Sequence, residues 1–120
     1  MLLFVYGTLM RGDCRAYLLA DQRFVGPAAT AAGYRLHDLG AYPGMVEDLA
    51  AGVVYGELYE IADDRWPRLD AEEGVDVGLY RRAGVQLSDD LPADIGPAET
   101  YLYNGPVTGR PDLNGRWPVR

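Results

Sequence analysis

The chain is 120 residues long and 48% hydrophobic, and its 11 basic residues, all arginine, stand against 18 acids for a net charge of −7. One cysteine (Cys14), one histidine (His37) and one serine (Ser88) exclude an internal disulfide and the usual Cys/His zinc site, and leave Ser–His–Asp catalysis a single distant pair. The negative charge argues against a nucleic-acid backbone as partner and no run reaches the ~18 apolar residues that span a bilayer, so the remaining catalytic material is carboxylates and nine tyrosines.

One domain, residues 1–120, is expected, because a chain of this length buries roughly two-thirds of its unfolded surface. It opens on a continuous apolar run, 2–6, that stops at Gly7 and reads as a central strand buried on both faces. The run is too short and lacks the positive leader of a signal peptide, so the expected location is the cytoplasm, where a lone thiol is ordinary. Residues 11–13 read as a loop and 14–20 as a short helix. Short strand pieces follow at 23–26 and 33–39, then turn chemistry at Tyr42-Pro43-Gly44 beside an extended segment.

The clearest strand is 53–61, with Val53, Tyr55, Glu57, Tyr59 and Ile61 on one face and Val54, Gly56, Leu58 and Glu60 on the other. A short helix comes next, with Asp63 or Asp64 as N-cap, Pro67 in the permissive first turn and Gly74 as the stop. Strands at 79–87 and 98–103 flank a polar loop, 88–97. The tail from 106 is rich in Gly and Pro, but Trp117 is expensive to leave in water, so the tail is expected to dock. These pieces predict a strand-dominated α+β domain with one or two short helices. Too few helices are present for a parallel doubly wound sheet, which favours a small twisted or barrel-like one.

Helix phase isolates one acid. At ~100° per residue, taking Trp66 as zero, Leu69 falls near 300°, Asp70 near 40°, Glu72 near 240° and Glu73 near 340°. Glu73 thus sits within the stripe of Trp66 and Leu69, where a core-facing helix would place leucine, while Glu72 lies on the flank. Burial and the negative end of the helix both raise a carboxyl pKa, and a carboxyl tuned upward can exchange protons near neutral pH. The alternative is a helix that frays at Gly74 and lets Glu73 bend into solvent. Glu57 is the rival, either a buried acid bonded to a tyrosine or arginine or a surface charge. Strand alternation sends one of Arg81 and Arg82 inward to an acid and the other outward. His37 and Cys14 have no partner of their own kind and are read as ordinary structural residues.

Tyr6-Gly7-Thr8-Leu9 is the second feature. Gly7 permits a sharp turn, and consecutive backbone N–H groups in such a turn can form an anion-binding nest; a plain strand-ending turn is the alternative. The tyrosines are read as core and rim residues.

Several strings occur in a consistent order: Tyr6-Gly7-Thr8-Leu9 with Arg11-Gly12, Tyr42-Pro43-Gly44-Met45-Val46, Val54-Tyr55-Gly56-Glu57-Leu58-Tyr59, Leu69-Asp70-x-x-Glu73-Gly74, Tyr80-Arg81-Arg82, Tyr101-Leu102-Tyr103 and Gly115-Arg116-Trp117. In that order they resemble the gamma-glutamylcyclotransferase-like (AIG2-like) family. The resemblance implies a small mixed β-barrel with short flanking helices. It also implies a reaction in which the α-amine of a gamma-glutamyl amide attacks its own γ-carbonyl, giving 5-oxoproline and a free amine. On that resemblance Glu73 is the catalytic residue and Tyr6, Gly7, Thr8 and Leu9 cradle the substrate, with Tyr80 and Tyr103 as further lining; Glu57 becomes a structural acid. No cofactor and no metal are implied, and the partner is a small gamma-glutamyl molecule rather than nucleic acid or membrane. A non-catalytic small-molecule binding module of the same fold is the alternative. A structural or interaction domain using the acidic surface is the third reading.

Overall fold

The apolar N-terminal run becomes β1 (Leu2–Val5), buried along its whole length at the centre of a five-stranded sheet. The computed structural model describes residues 1–92 and 95–118. Across the sheet the order is Arg23–Ala29 (β2), Tyr55–Glu60 (β5), β1, Ala98–Tyr103 (β7) and Tyr80–Val85 (β6). β1 runs antiparallel to β5, with Val5 opposite Glu57, and parallel to β7, with Leu2 opposite Ala98. The sheet is therefore mixed, and a strand flanked and covered in this way needs apolar side chains on both faces. Its two edges curl toward each other. They meet where Thr30 pairs with Leu87, secured by Ala31 N–H to Gln86 O at 2.8 Å and Ser88 N–H to Ala29 O at 3.0 Å. One bridge, not a full ladder, joins the edges, so the expected barrel is realised as a curled sheet.

Tyr34–Asp38 (β3) and Pro43–Glu47 (β4) form a separate antiparallel hairpin. It packs over β7 at Gly44, where a Cβ would lie 2.9 Å from the Tyr103 side chain. The expected helix at 14–20 shortens to a 3-10 turn, Ala16–Leu19, that buries Leu18 and Leu19. The later helix begins as a 3-10 turn, Asp63–Arg65, and continues as α1 (Trp66–Glu72). Neither Asp63 nor Asp64 caps it: Arg65 is the N-cap and makes no side-chain cap bond. Pro67 lies at the first helical positions and brings no N–H to satisfy, which reduces the need for a cap. Gly74 ends the helix in the left-handed region at φ 67°, as expected.

Strict alternation fails in β5, where the adjacent Leu58 and Tyr59 are both buried. Leu58 joins the core on one face while Tyr59, on the other, packs edge-on against Phe24 with ring centroids 5.3 Å apart, and Tyr55 at the start of the strand stays exposed. The arginine pair divides as alternation requires. Arg82 turns to Asp70 and Glu99 (both 3.1 Å) and lies over the Trp66 ring, whereas exposed Arg81 reaches Glu47. The tail docks against β5: Gly115 O accepts from Tyr55 N–H at 2.8 Å, and Trp117 is buried with its indole N–H on Asp13 Oδ2 at 2.9 Å. The parts of the expected loop and tail at 93–94 and 119–120 lie outside the described residues.

Gly56 fixes the distance between β5 and β1, since a Cβ there would lie 2.1 Å from Val5 O. Gly56→Ala should therefore cost at least about 1–3 kcal/mol of stability in urea unfolding. Trp117→Ala, which empties a buried site, should cost about 3–5 kcal/mol in the same measurement; an unchanged midpoint would show that the tail does not dock.

Candidate active site

α1 buries Trp66 and Leu69 and ends one residue before Glu73, which caps it with its own N–H on Leu69 O at 3.0 Å. The phase that places Trp66 and Leu69 inward carries Glu73 inward too, leaving it 9% exposed, while Glu72 points outward. The helix does not fray. Gly74 turns left-handed and the chain doubles back, with Leu79 N–H on Gly74 O at 3.0 Å, so Glu73 is enclosed. Removal from water pushes its carboxyl above the usual glutamate value. The nearby Arg15 guanidinium opposes that rise and the neighbouring Glu72 adds to it.

Facing the helix end is the turn that terminates β1. Met10 N–H closes it on Gly7 O at 3.0 Å, and Arg15 N–H on Thr8 O at 2.9 Å fastens its far side. Only glycine fits at position 7, where a Cβ would lie 2.6 Å from Pro43 Cγ. The N–H groups of Gly7, Thr8 and Leu9 find no acceptor among the described residues, so three consecutive backbone donors remain for a ligand. This turn, the helix end and the segments at Tyr42-Pro43 and Leu79-Tyr80 line a cavity of about 60 Å³.

Arg15 is the residue that sequence reasoning missed. Its Nη2 reaches Glu73 Oε1 at 2.8 Å and its Nη1 donates to Glu72 O at 3.4 Å. The two partners stand 58 positions apart, and no local pattern marks such a pair. Tyr101 also joins the wall, where sequence reading placed it only among core and rim tyrosines.

The tyrosine hydroxyls around Glu73 are committed to the fold. Tyr6 donates to Tyr101 O at 2.5 Å, Tyr80 to Pro43 O at 2.6 Å, and Tyr101 to Asp70 Oδ1 at 2.7 Å. Burial, with the Glu73 charge adding to it, drives all three well above the usual phenol value. They stay neutral at any working pH, so the buried ionisable acid on this wall is Glu73, with the exposed Glu72 beside it.

Of the expected site residues, Tyr6, Gly7, Thr8, Leu9, Glu73 and Tyr80 are brought together around one cavity. Tyr103 is not on its wall: it packs edge-on behind Tyr80, ring centroids 5.5 Å apart, with β4 pressed against it. Glu57 lies away from this cavity and accepts the Arg11 N–H at 2.8 Å, the arginine-bonded acid that was one of its two expected roles. His37 sits in β3 with Nδ1 3.3 Å from Arg110 O, and Cys14 is an exposed thiol. Among the described residues no group of three or more His, Cys, Asp or Glu side chains is placed to hold a metal ion, and no helix is long and apolar enough to cross a membrane.

Comparison with known proteins follows the same outline. Residues 3–119 match the family model described as gamma-glutamyl cyclotransferase, AIG2-like. A Vibrio cholerae protein named as a gamma-glutamylcyclotransferase by inference is 38% identical over 102 residues, covering 85% of this chain and 81% of its own length. The gamma-L-glutamyl-butirosin B gamma-glutamyl cyclotransferase of Niallia circulans is 30% identical over 107 residues, covering 85% of this chain and 66% of its own. The crystal structure of an AIG2-like protein from Mus musculus superposes with a TM-score of 0.83 at 23% identity, over 99% of this chain and 95% of the other, and so shares the fold. The chain belongs to the gamma-glutamyl cyclotransferase, AIG2-like family.

Proposed function

We propose that the protein cyclises a gamma-glutamyl amide, a gamma-glutamyl amine or related conjugate, to 5-oxoproline with release of the free amine. The observation that carries this reading is the placing of one buried carboxyl, Glu73, in the same small cavity as three unused backbone donors, Gly7, Thr8 and Leu9. The name of the Niallia circulans relative, which gives gamma-L-glutamyl-butirosin B as what it acts on, supports the substrate class.

The chemistry asks for few side chains because nucleophile and electrophile belong to one molecule. Holding the flexible glutamyl chain with its amine against its own γ-carbonyl supplies much of the acceleration. Glu73 as carboxylate takes a proton from the α-ammonium, and the freed amine attacks the γ-carbonyl carbon to form the ring C–N bond. The oxyanion, or the substrate's carboxylate, rests on the N–H groups of the 6–9 turn. When the tetrahedral intermediate collapses, the amide C–N bond breaks and Glu73 returns its proton to the departing nitrogen. The remaining excess proton on the lactam nitrogen passes to the released amine or to water. No group on the protein becomes covalently attached.

A panel of gamma-glutamyl amines and peptides assayed for 5-oxoproline tests the reading, and at least one member should turn over. Glu73→Gln should lower kcat by about 10²–10⁴, the usual worth of a general acid–base group, while circular dichroism shows the fold intact. Full activity in that variant, or no turnover of any panel member, would sink the proposal. Stabilisation by glutamate-like ligands without product would instead indicate a binding module.

The pH dependence has a definite sign. Glu73 must be ionised to accept the proton, and burial raises its pKa above the ordinary value near 4.5, so kcat/KM should rise with pH along a limb centred above that value. Stability runs the opposite way. The folded state holds this proton more tightly than the unfolded chain, so the contribution is full below about 4.5 and is lost as pH rises through the folded value. Measuring kcat/KM and chemical unfolding across pH 4 to 8 (on the order of four units, spanning the carboxyl range) checks both signs.

A further inference from the structure

Arg15 does more than neutralise a buried acid. Its backbone N–H holds Thr8 O at 2.9 Å, its Nη1 holds the carbonyl of Glu72 at 3.4 Å, and its Nη2 holds Glu73 Oε1 at 2.8 Å. One residue thus fastens the donor turn to the helix end on opposite sides of the cavity, and it lines that cavity itself. The arrangement leaves a cost in place: Arg15 Nε is buried and has no acceptor among the described residues. An arginine serving the fold alone would be placed to satisfy its buried donors; this one is aimed so that its terminal nitrogens meet the acid. Glu73 Oε2 makes no bond to the protein among the described residues, so the pairing occupies one carboxylate oxygen and leaves the other open.

We propose that Arg15 is the positioning residue of this site, holding Glu73 in its charged, proton-accepting form by one oxygen and presenting the second oxygen to the substrate at a fixed distance from the backbone donors. The charged and titratable groups that surround Glu73 limit what else can do this. Glu72 on its own helix works against ionisation; Tyr6 from the turn after β1, Tyr80 from β6 and Tyr101 from β7 are neutral. Arg15 is the cation paired with the acid. The proposal rests on Glu73 being the proton carrier, and it adds a consequence for the free protein: without the guanidinium, the carboxyl keeps its proton to higher pH whether or not substrate is bound.

The test uses Arg15→Gln, which keeps a hydrogen-bond donor for Glu73 and loses the charge, beside Arg15→Lys, which keeps the charge. Carbon-13 NMR of glutamate-labelled, ligand-free protein follows the Glu73 carboxyl directly, the resonance being the one missing in Glu73→Gln. Arg15→Gln should move its titration midpoint upward by about one to three pH units, the usual effect of losing an adjacent opposite charge, and Arg15→Lys should move it much less. With a turned-over substrate, the acid limb of kcat/KM should shift by the same amount, with kcat falling more than KM rises. An unmoved midpoint in Arg15→Gln overturns the proposal. So does a rise confined to KM, which would make Arg15 a substrate anchor. If no substrate is turned over, the assigned function falls while the NMR midpoint still decides the role of Arg15. Should Arg15→Gln not fold, an unmoved midpoint in Arg15→Ala or Arg15→Met overturns the proposal equally, and an upward shift supports it.

Discussion

A carboxylate taken out of water costs on the order of several kcal/mol unless something replaces its hydration. In this protein the replacement is the Arg15–Glu73 pair, 2.8 Å apart on the wall of a cavity about 60 Å³ in volume. The compensation is incomplete, because burial still outweighs the guanidinium and the carboxyl pKa stays raised. That residue of imbalance is chemically useful. In the proposed mechanism a fully compensated Glu73 would be a weak base, and an uncompensated one would hold its proton and could not begin the cyclisation.

Holding that balance requires two chain segments, far apart in sequence, to stay in register, and the scaffold is arranged around this need. β1 is central and buried along its length, so the turn that follows it leaves from the middle of the sheet. α1 follows β5, whose last residue Glu60 lies opposite Leu2 at the start of β1, and the chain then brings Glu73 to the cavity that the turn after β1 lines. The loop carrying Arg15 is braced from the opposite direction: Asp13 receives the Cys14 N–H at 2.7 Å and the Trp117 indole at 2.9 Å. The Gly- and Pro-rich tail therefore braces the loop that carries Arg15.

The tyrosines contribute through geometry rather than acid–base chemistry. Tyr6, Tyr80 and Tyr101 each spend their hydroxyl proton on a fold contact: Tyr101 O, Pro43 O and Asp70, respectively. Their rings leave a firm, partly apolar wall, and Tyr103 supports it from behind through Tyr80. Such a wall suits the proposed cyclisation, whose acceleration would come from folding a flexible substrate upon itself.

Much of this was legible in the chain because the signals are local. The continuous run at Leu2–Val5 announces a strand covered on both faces, Gly74 announces the end of a helix, and the phase relating Trp66, Leu69 and Glu73 brings the acid inward once that helix packs. Tertiary structure decided what depends on distant neighbours. The alternation in β5 fails because Tyr59, on the face opposite Leu58, is buried against Phe24 of β2. The expected caps at Asp63 and Asp64 give way to a 3-10 turn, and Tyr103, beside Tyr80 across the β6–β7 ladder, is held behind the wall by the β3–β4 hairpin. Above all, the sequence by itself determined which acid a packed helix would turn inward, since a 3.6-residue period is a property of the helix alone. Only the folded chain decided that Arg15 would meet it, because an ion pair spanning 58 positions is set by how the sheet curls, and nothing within one segment encodes it.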